Sequence, residues 1–251
     1  MAWVESVSHS FRARHDSGCA RDAARVLESL EQAREYLIDL FPREVSEITV
    51  VLHGDTISLS LSNPTLPLRW LTTAPAARRY VAGWAGATEL HVLAPAALQA
   101  RASNVPGSSE MLALTAASLY ARRVIAENNR DLPRPMTPAR VACELRWAWL
   151  LDGASRWFSG QTDHARPAIA RRLREGRRPQ FPPGIRDAAL LGGTVIDLLA
   201  REEGQLAAAQ FATRLHPQGP RAAITKAFRG RPFVHTEGAW RSHLAALASA
   251  V

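Results

Sequence analysis

Trp149-Leu150-Leu151-Asp152-Gly153-Ala154-Ser155-Arg156-Trp157-Phe158 is the stretch of sequence on which the fold turns. It closes a helix expected over 137–158, which opens with Thr137 as the capping residue and Pro138 at the first helical position. Asp152 is the lone carboxylate of the stretch. It stands four residues before Arg156, the spacing of an ion pair on a helix surface. Trp147, Trp149 and Trp157 are two and eight residues apart and so fall on more than one side. Trp149 and Trp157 are expected in the core rather than in an aromatic ligand cage.

Upstream, residues 108–128 predict a helix, with Ser108 as cap and Glu110 in its first turn. Before it the pattern is mixed. Residues 8–16 (SHSFRARHD) alternate as a strand. Residues 22–41 place Ala24, Leu27, Leu30, Ala33, Leu37 and Leu40 at three- and four-residue steps, an amphipathic helix that Pro42 stops. Residues 47–53 form a β-branched strand with Gly54-Asp55 as its turn. Pro64, Pro67 and Pro75 make 61–79 read as irregular, and 80–84 is short. Residues 88–93 (TELHVL) are a further strand. Downstream, helices are expected over 187–203, 205–215, 220–228 and 237–250, and Gly192-Gly193 reads as a close helix-packing point. The shift near residue 100 divides one domain, 1–251, into an α/β lobe, 1–107, and a mostly helical lobe, 108–251.

Composition narrows the function classes. The 251 residues are 47% hydrophobic, enough for a sizeable core. No run of about 18 apolar residues suggests a membrane span, and the first residues lack the pattern of a secretory signal. Cys19 and Cys143 show no disulfide spacing, and Cys143 sits in an apolar helical stretch as a buried thiol. The cytoplasm is the expected compartment. The net charge is +8, carried by Arg with Lys226 as the one lysine. Because the Arg are spread along the chain, the charge reads as a compositional preference. The strongest cluster is the basic segment 166–178, with Arg166, Arg171, Arg172, Arg174, Arg177 and Arg178. It would neutralise phosphates, but it lacks the interleaved aromatics that stack bases, so nucleic acid is a disfavoured partner.

The stretch 149–158 resembles the W-L-S-E-G-L-A-E-Y-F type of segment in gluzincin metallopeptidases of the peptidase MA-like group. Trp149, Leu150, Gly153 and Phe158 match outright, and Asp152 falls where that family has its third zinc ligand. The opening 8–16 before a long helix, and the tail from Phe228-Arg229-Gly230 through Glu237 and 240–244, are also similar. The resemblance implies an α+β, zincin-like fold: a twisted sheet with a long helix, then a helical lobe. It also implies a cleft bordered by an edge strand, for which 88–93 is the candidate, able to pair with an extended peptide.

Such an enzyme needs H-E-x-x-H on the helix before that segment, because two His at i and i+4 share one face and bind zinc while the Glu serves as base. Helix 108–128 contains no His. The resemblance places Ala117 and Ala121 at the two His positions and Ser118 at the Glu. A two-residue slip gives Thr115, Ala116 and Leu119 instead. Neither register supplies a ligand, and Asp152 alone falls short of the usual three. No metal or other cofactor is expected.

The expectation is therefore a catalytically inactive, metallopeptidase-like module that binds a peptide or protein. Tyr120, Trp149, Ser155 and His91 are candidate cleft residues. His9, His15, His53, His91, His164, His216, His235 and His243 contain no i,i+4 pair. Two alternatives are carried: a nucleic-acid binder using 166–178, and a hydrolase rebuilt around Ser118 or Ser155, for which no adjacent base is legible. The sequence carries no signal for an oligomeric state.

Overall fold

The computed structural model describes residues 3–135, 137–175 and 178–249. β1 (Trp3–Val7) pairs antiparallel with β2 (Phe11–Asp16), and β3 (Ile48–His53) lies parallel to β2. β4 (Gly83–Ala85) and β5 (Glu89–Leu93) form a hairpin, with β5 parallel to β3 and β4 antiparallel to β5. The order is β1-β2-β3-β5-β4. β3 and β5 are buried along most of their length, which is why they read as continuous apolar runs. The strand expected at the cleft border is therefore an inner strand. The edge on that side is the three-residue β4, too short to stand out in sequence. β1 was not expected as a strand at all; most of its residues are exposed.

α1 (Ala20–Ile38) crosses over from β2 to β3, the long connection a parallel pair requires. It buries Ala23, Val26, Leu27, Leu30 and Leu37. α2 (Thr56–Ser62) follows the turn at Gly54-Asp55, and residues 61–79, expected as irregular, hold its last residues, α3 (Leu66–Thr72) and α4 (Pro75–Arg78). The Asp55 carboxylate caps α2 by accepting from the Ile57 and Ser58 amides, both at 2.8 Å. Pro67 and Pro75 occupy first turns of helices, where a missing N–H costs nothing. The prolines therefore start helices here. α5 (Pro95–Arg101) completes the first part.

The rest is helical: α6 (Ser108–Ala113), α7 (Thr115–Asn128), α8 (Pro138–Arg146), α9 (Ala148–Phe158), α10 (Arg166–Arg174), α11 (Ile185–Glu203), α12 (Gln205–Ala212), α13 (Pro220–Ala227) and α14 (Phe233–Ser249). The fold is thus α+β, a mixed sheet with a long helix followed by a mostly helical part. The helix expected over 108–128 breaks at Leu114, and that over 137–158 breaks at Trp147. Neither is Gly or Pro. The last helix begins at Phe233, ahead of the expected 237, and its expected end at Ala250 lies outside the described residues. Cys19 and Cys143 are free and half-buried.

α9 and α11 approach one another closely at Gly153 and Gly192, and glycine makes this possible. A Cβ on Gly153 would lie 2.7 Å from the Gly192 Cα, with the Gly192 carbonyl closer still. Trp149, on the same helix, packs against Phe211 and Trp147. Trp157, expected in the core, is only half-buried, and its Nε1 donates to Asp197 at 3.3 Å. Among the described residues, no helix is long and apolar enough to cross a membrane.

Candidate functional site

α7 packs against β4, β5 and α9. On it Thr115, Ser118, Leu119 and Arg122 follow the i, i+3, i+4, i+7 pattern of a single face, and that face looks into a small cavity. Asp152, Ser155 and Arg156 of α9 form the opposite wall. Val81, Ala82 and Gly83 approach from the sheet edge, Arg69 from α3, and Gln161 from the turn after α9. The space is about 30 Å³, room for one or two water molecules.

Asp152 is the centre of the cavity's electrostatics. Its Oδ2 accepts from Arg69 Nη2 at 2.6 Å and its Oδ1 from Arg122 Nη1. Burial alone would raise its carboxyl, but the Arg69 and Arg122 guanidiniums outweigh that and hold it at about 2. Arg122 also lies 3.8 Å from Glu144 on α8.

The expected Asp152–Arg156 pair is not made. The short aspartate has both oxygens engaged elsewhere. Arg156 instead donates to the Tyr80 carbonyl at 2.8 Å and to Gln161 Oε1 at 3.1 Å. Gln161 is fixed in turn by donating to the Met111 carbonyl at 2.5 Å. Among the described residues no carboxylate stands within ion-pair distance of Arg156. Burial pushes the Arg156 guanidinium down to about 10; Asp152 opposes this, and Arg69 and Arg122 add to it. The Ser118 hydroxyl makes no hydrogen bond among the described residues, although the residue is only 8% exposed. Ser155 Oγ is occupied by the Asp152 backbone carbonyl at 2.9 Å.

Of the positions expected from sequence, Ser118, Asp152 and Ser155 meet at this cavity. Ala117 and Ala121 are buried but do not line it; the pair at i and i+4 that faces Asp152 is Ser118 and Arg122. Tyr120 points elsewhere. Its hydroxyl donates to the Val45 carbonyl at 3.2 Å and its ring meets Phe11 edge-on. Trp149 lies within the helical core. Arg69, Arg122 and Gln161 were not anticipated. The available signal was the polar stripe Thr115, Ser118, Arg122 on an otherwise apolar helix.

His91 belongs to a second cluster. Along β5 it alternates with the core residues Leu90 and Val92, so it projects from the other sheet face. Trp84 stacks on it at 4.2 Å between ring centres, and Trp84 Nε1 donates to Ser62 on α2. His91 Nε2 lies 3.2 Å from Glu89 Oε2 and its Nδ1 lies 3.0 Å from His53 Nε2. Glu89 can only accept, so His91 donates through Nε2 and accepts the His53 proton at Nδ1. Burial, then His91, pushes His53 down to about 4 despite Asp55. Both rings are buried, and they are neutral at pH 7.

A zinc ion does not fit this arrangement. Facing Asp152 are a single neutral hydroxyl and guanidiniums, and the guanidiniums repel a cation and offer no lone pair. Among the described residues no three His, Cys, Asp or Glu side chains cluster for a metal.

No known protein family, curated protein or solved structure matches this chain.

Most of the basic segment 166–178 is the helix α10. Arg172 is buried and grips Asp187 through Nε at 2.6 Å and Nη2 at 2.8 Å, and Arg171 lies 3.4 Å from Glu175. Arg177, with Gly176, lies outside the described residues. Internal pairing leaves fewer guanidiniums for phosphates.

Proposed function

We propose that the chain is a zincin-like module that holds an extended peptide along β4 without hydrolysing it. The observation that carries this reading is a partly exposed edge strand beside the cavity, with backbone groups that no other strand takes up. In the β4–β5 ladder, Leu93 donates to Ala82 at 3.1 Å and Gly86 to Glu89 at 2.7 Å. The alternation of an antiparallel pair then turns the N–H and C=O of Gly83 and Ala85 away from β5. Such groups accept an added strand, and neighbouring pockets supply specificity. The short antiparallel edge strand, the helix beneath it and the carboxylate of the next helix support the zincin-like reading. The cavity lining holds no imidazole, and Asp152, held at about 2, is a poor base at neutral pH. These two features favour binding over turnover.

Ala85→Pro tests this. It removes a donor that points outward, so the β4–β5 ladder is retained. The wild-type chain should shift the amide resonances of Gly83 and Ala85 on addition of an eight-residue degenerate peptide library, and the peptides should be recovered intact. Ala85→Pro should bind about tenfold or more weakly with its melting temperature little changed. Unchanged affinity in that variant, or peptide cleavage by the wild type, would contradict the reading.

A further inference from the structure

The charge in the cavity does not balance. Arg69, Arg122 and Arg156 line it against the single carboxylate of Asp152, and Glu144 reaches only the outer side of Arg122 at 3.8 Å. A buried cation without a counter-charge is costly. Each guanidinium carries about five N–H donors, yet Arg69 and Arg122 each make one hydrogen bond among the described residues, both to Asp152. Arg156 makes two, and both are to neutral oxygens. The unpartnered Ser118 hydroxyl lies on the same wall. It has no protein partner among the described residues and is free to donate to an entering acceptor.

The shape of the space limits what can satisfy these groups. About 30 Å³ excludes a nucleotide or a sugar and admits one functional group. Guanidinium forks match the planar, two-oxygen geometry of a carboxylate. Arg69 is one-third exposed along its side chain, so it stands at the mouth and leaves a way in. A net charge of +8 draws acidic partners toward the surface.

We propose that this cavity is a carboxylate-recognition pocket, filled by a side-chain or C-terminal carboxylate of the peptide held along β4. The proposal rests on the peptide-binding reading for the source of the carboxylate, not for the pocket itself. Arg69 and Arg122 would share their free donors between Asp152 and the incoming group, Arg156 would supply the uncompensated charge, and Ser118 would donate its hydroxyl.

Isothermal titration of the full chain separates the possibilities. The probes are a capped Ala-Val-Glu-Val-Ala peptide, its Gln twin, the Gln twin with a free C-terminus, sodium acetate and inorganic phosphate. At least one of the two acidic peptides should bind about tenfold or more tightly than the capped Gln twin, and which one it is identifies the source. Arg69→Gln should bring the acidic peptide down to the twin's affinity. Ser118→Ala, which removes only an unpartnered hydroxyl, should weaken the preference several-fold and keeps the test decisive if the arginine variant fails to fold. Equal affinity for charged and neutral peptides overturns the pocket while leaving the peptide reading intact. Acetate binding that Ser118→Ala weakens, with no peptide bound, supports the pocket and sinks the peptide reading. A preference that survives Ser118→Ala unchanged, or phosphate binding in place of carboxylates, overturns the proposal. No binding of any probe overturns both.

Discussion

Asp152→Ala should lose about 3–5 kcal/mol of folding free energy, because removing one partner of a buried ion network strands the others. Arg69 and Arg122 lose their bonded carboxylate, and Arg156 loses the nearby charge that helps keep it protonated. Urea denaturation at pH 7 reads the change directly. The charge accounts for only part of it. A carboxyl lowered from 3.8 to about 2 corresponds to about 2 kcal/mol; the remainder is lost hydrogen bonding and packing. The sign follows from the lowered value. The charge contribution is complete well above pH 3.8 and disappears as the pH falls through about 2, so the gap between wild type and variant should narrow by about 2 kcal/mol in acid and not close. A loss below about 1 kcal/mol would place the network in the class of solvated surface pairs and remove the basis for an enclosed, charged cavity.

Gly192→Ala should be comparably damaging, at about 3 kcal/mol or more, toward the upper end of overpacking costs. The added Cβ would meet the Trp149 carbonyl and lie 3.0 Å from the Gly153 Cα. Both obstacles are backbone, so neither can rotate aside. α9 would have to move off α11, and α9 carries Asp152, Ser155 and Arg156. The damage would therefore reach the cavity. Gly238→Ala is the control. It lies in α14 with nothing within 4 Å of the added atom, and should gain up to about 1 kcal/mol from helix propensity. Thermal denaturation of the two variants should move in opposite directions. Destabilisation of both alike would mean that close backbone approach is not what glycine provides at 192.

A sheet followed by helices was legible because β3 and β5 are apolar runs and α1 carries strong apolar periodicity over enough residues. The Gly192-Gly193 contact was also legible, since two adjacent glycines inside a helical pattern have few other uses. What escaped the sequence was tertiary in origin. The breaks at Leu114 and Trp147 carry no Gly or Pro, so local chemistry does not announce them. The prolines of 61–79 read as breakers because their place in the first turn depends on where the helices begin. β4 is three residues long and gains its meaning only from its neighbour. At the site, the local partner Arg156 was the natural choice for Asp152 on a helix, but the partners are 83 and 30 residues away. A register shift of one residue separates Ala117 and Ala121 from Ser118 and Arg122, and on a helix that turns a buried face into the cavity wall.

Equilibrium dialysis of the full chain against zinc, followed by mass-spectrometric metal analysis, tests most directly whether arginine has taken the place of a cation opposite Asp152. A cavity lined by Arg69, Arg122 and Arg156 should retain only background zinc, the same amount as Asp152→Asn. One tightly held zinc per chain, lost in Asp152→Asn, would contradict the account.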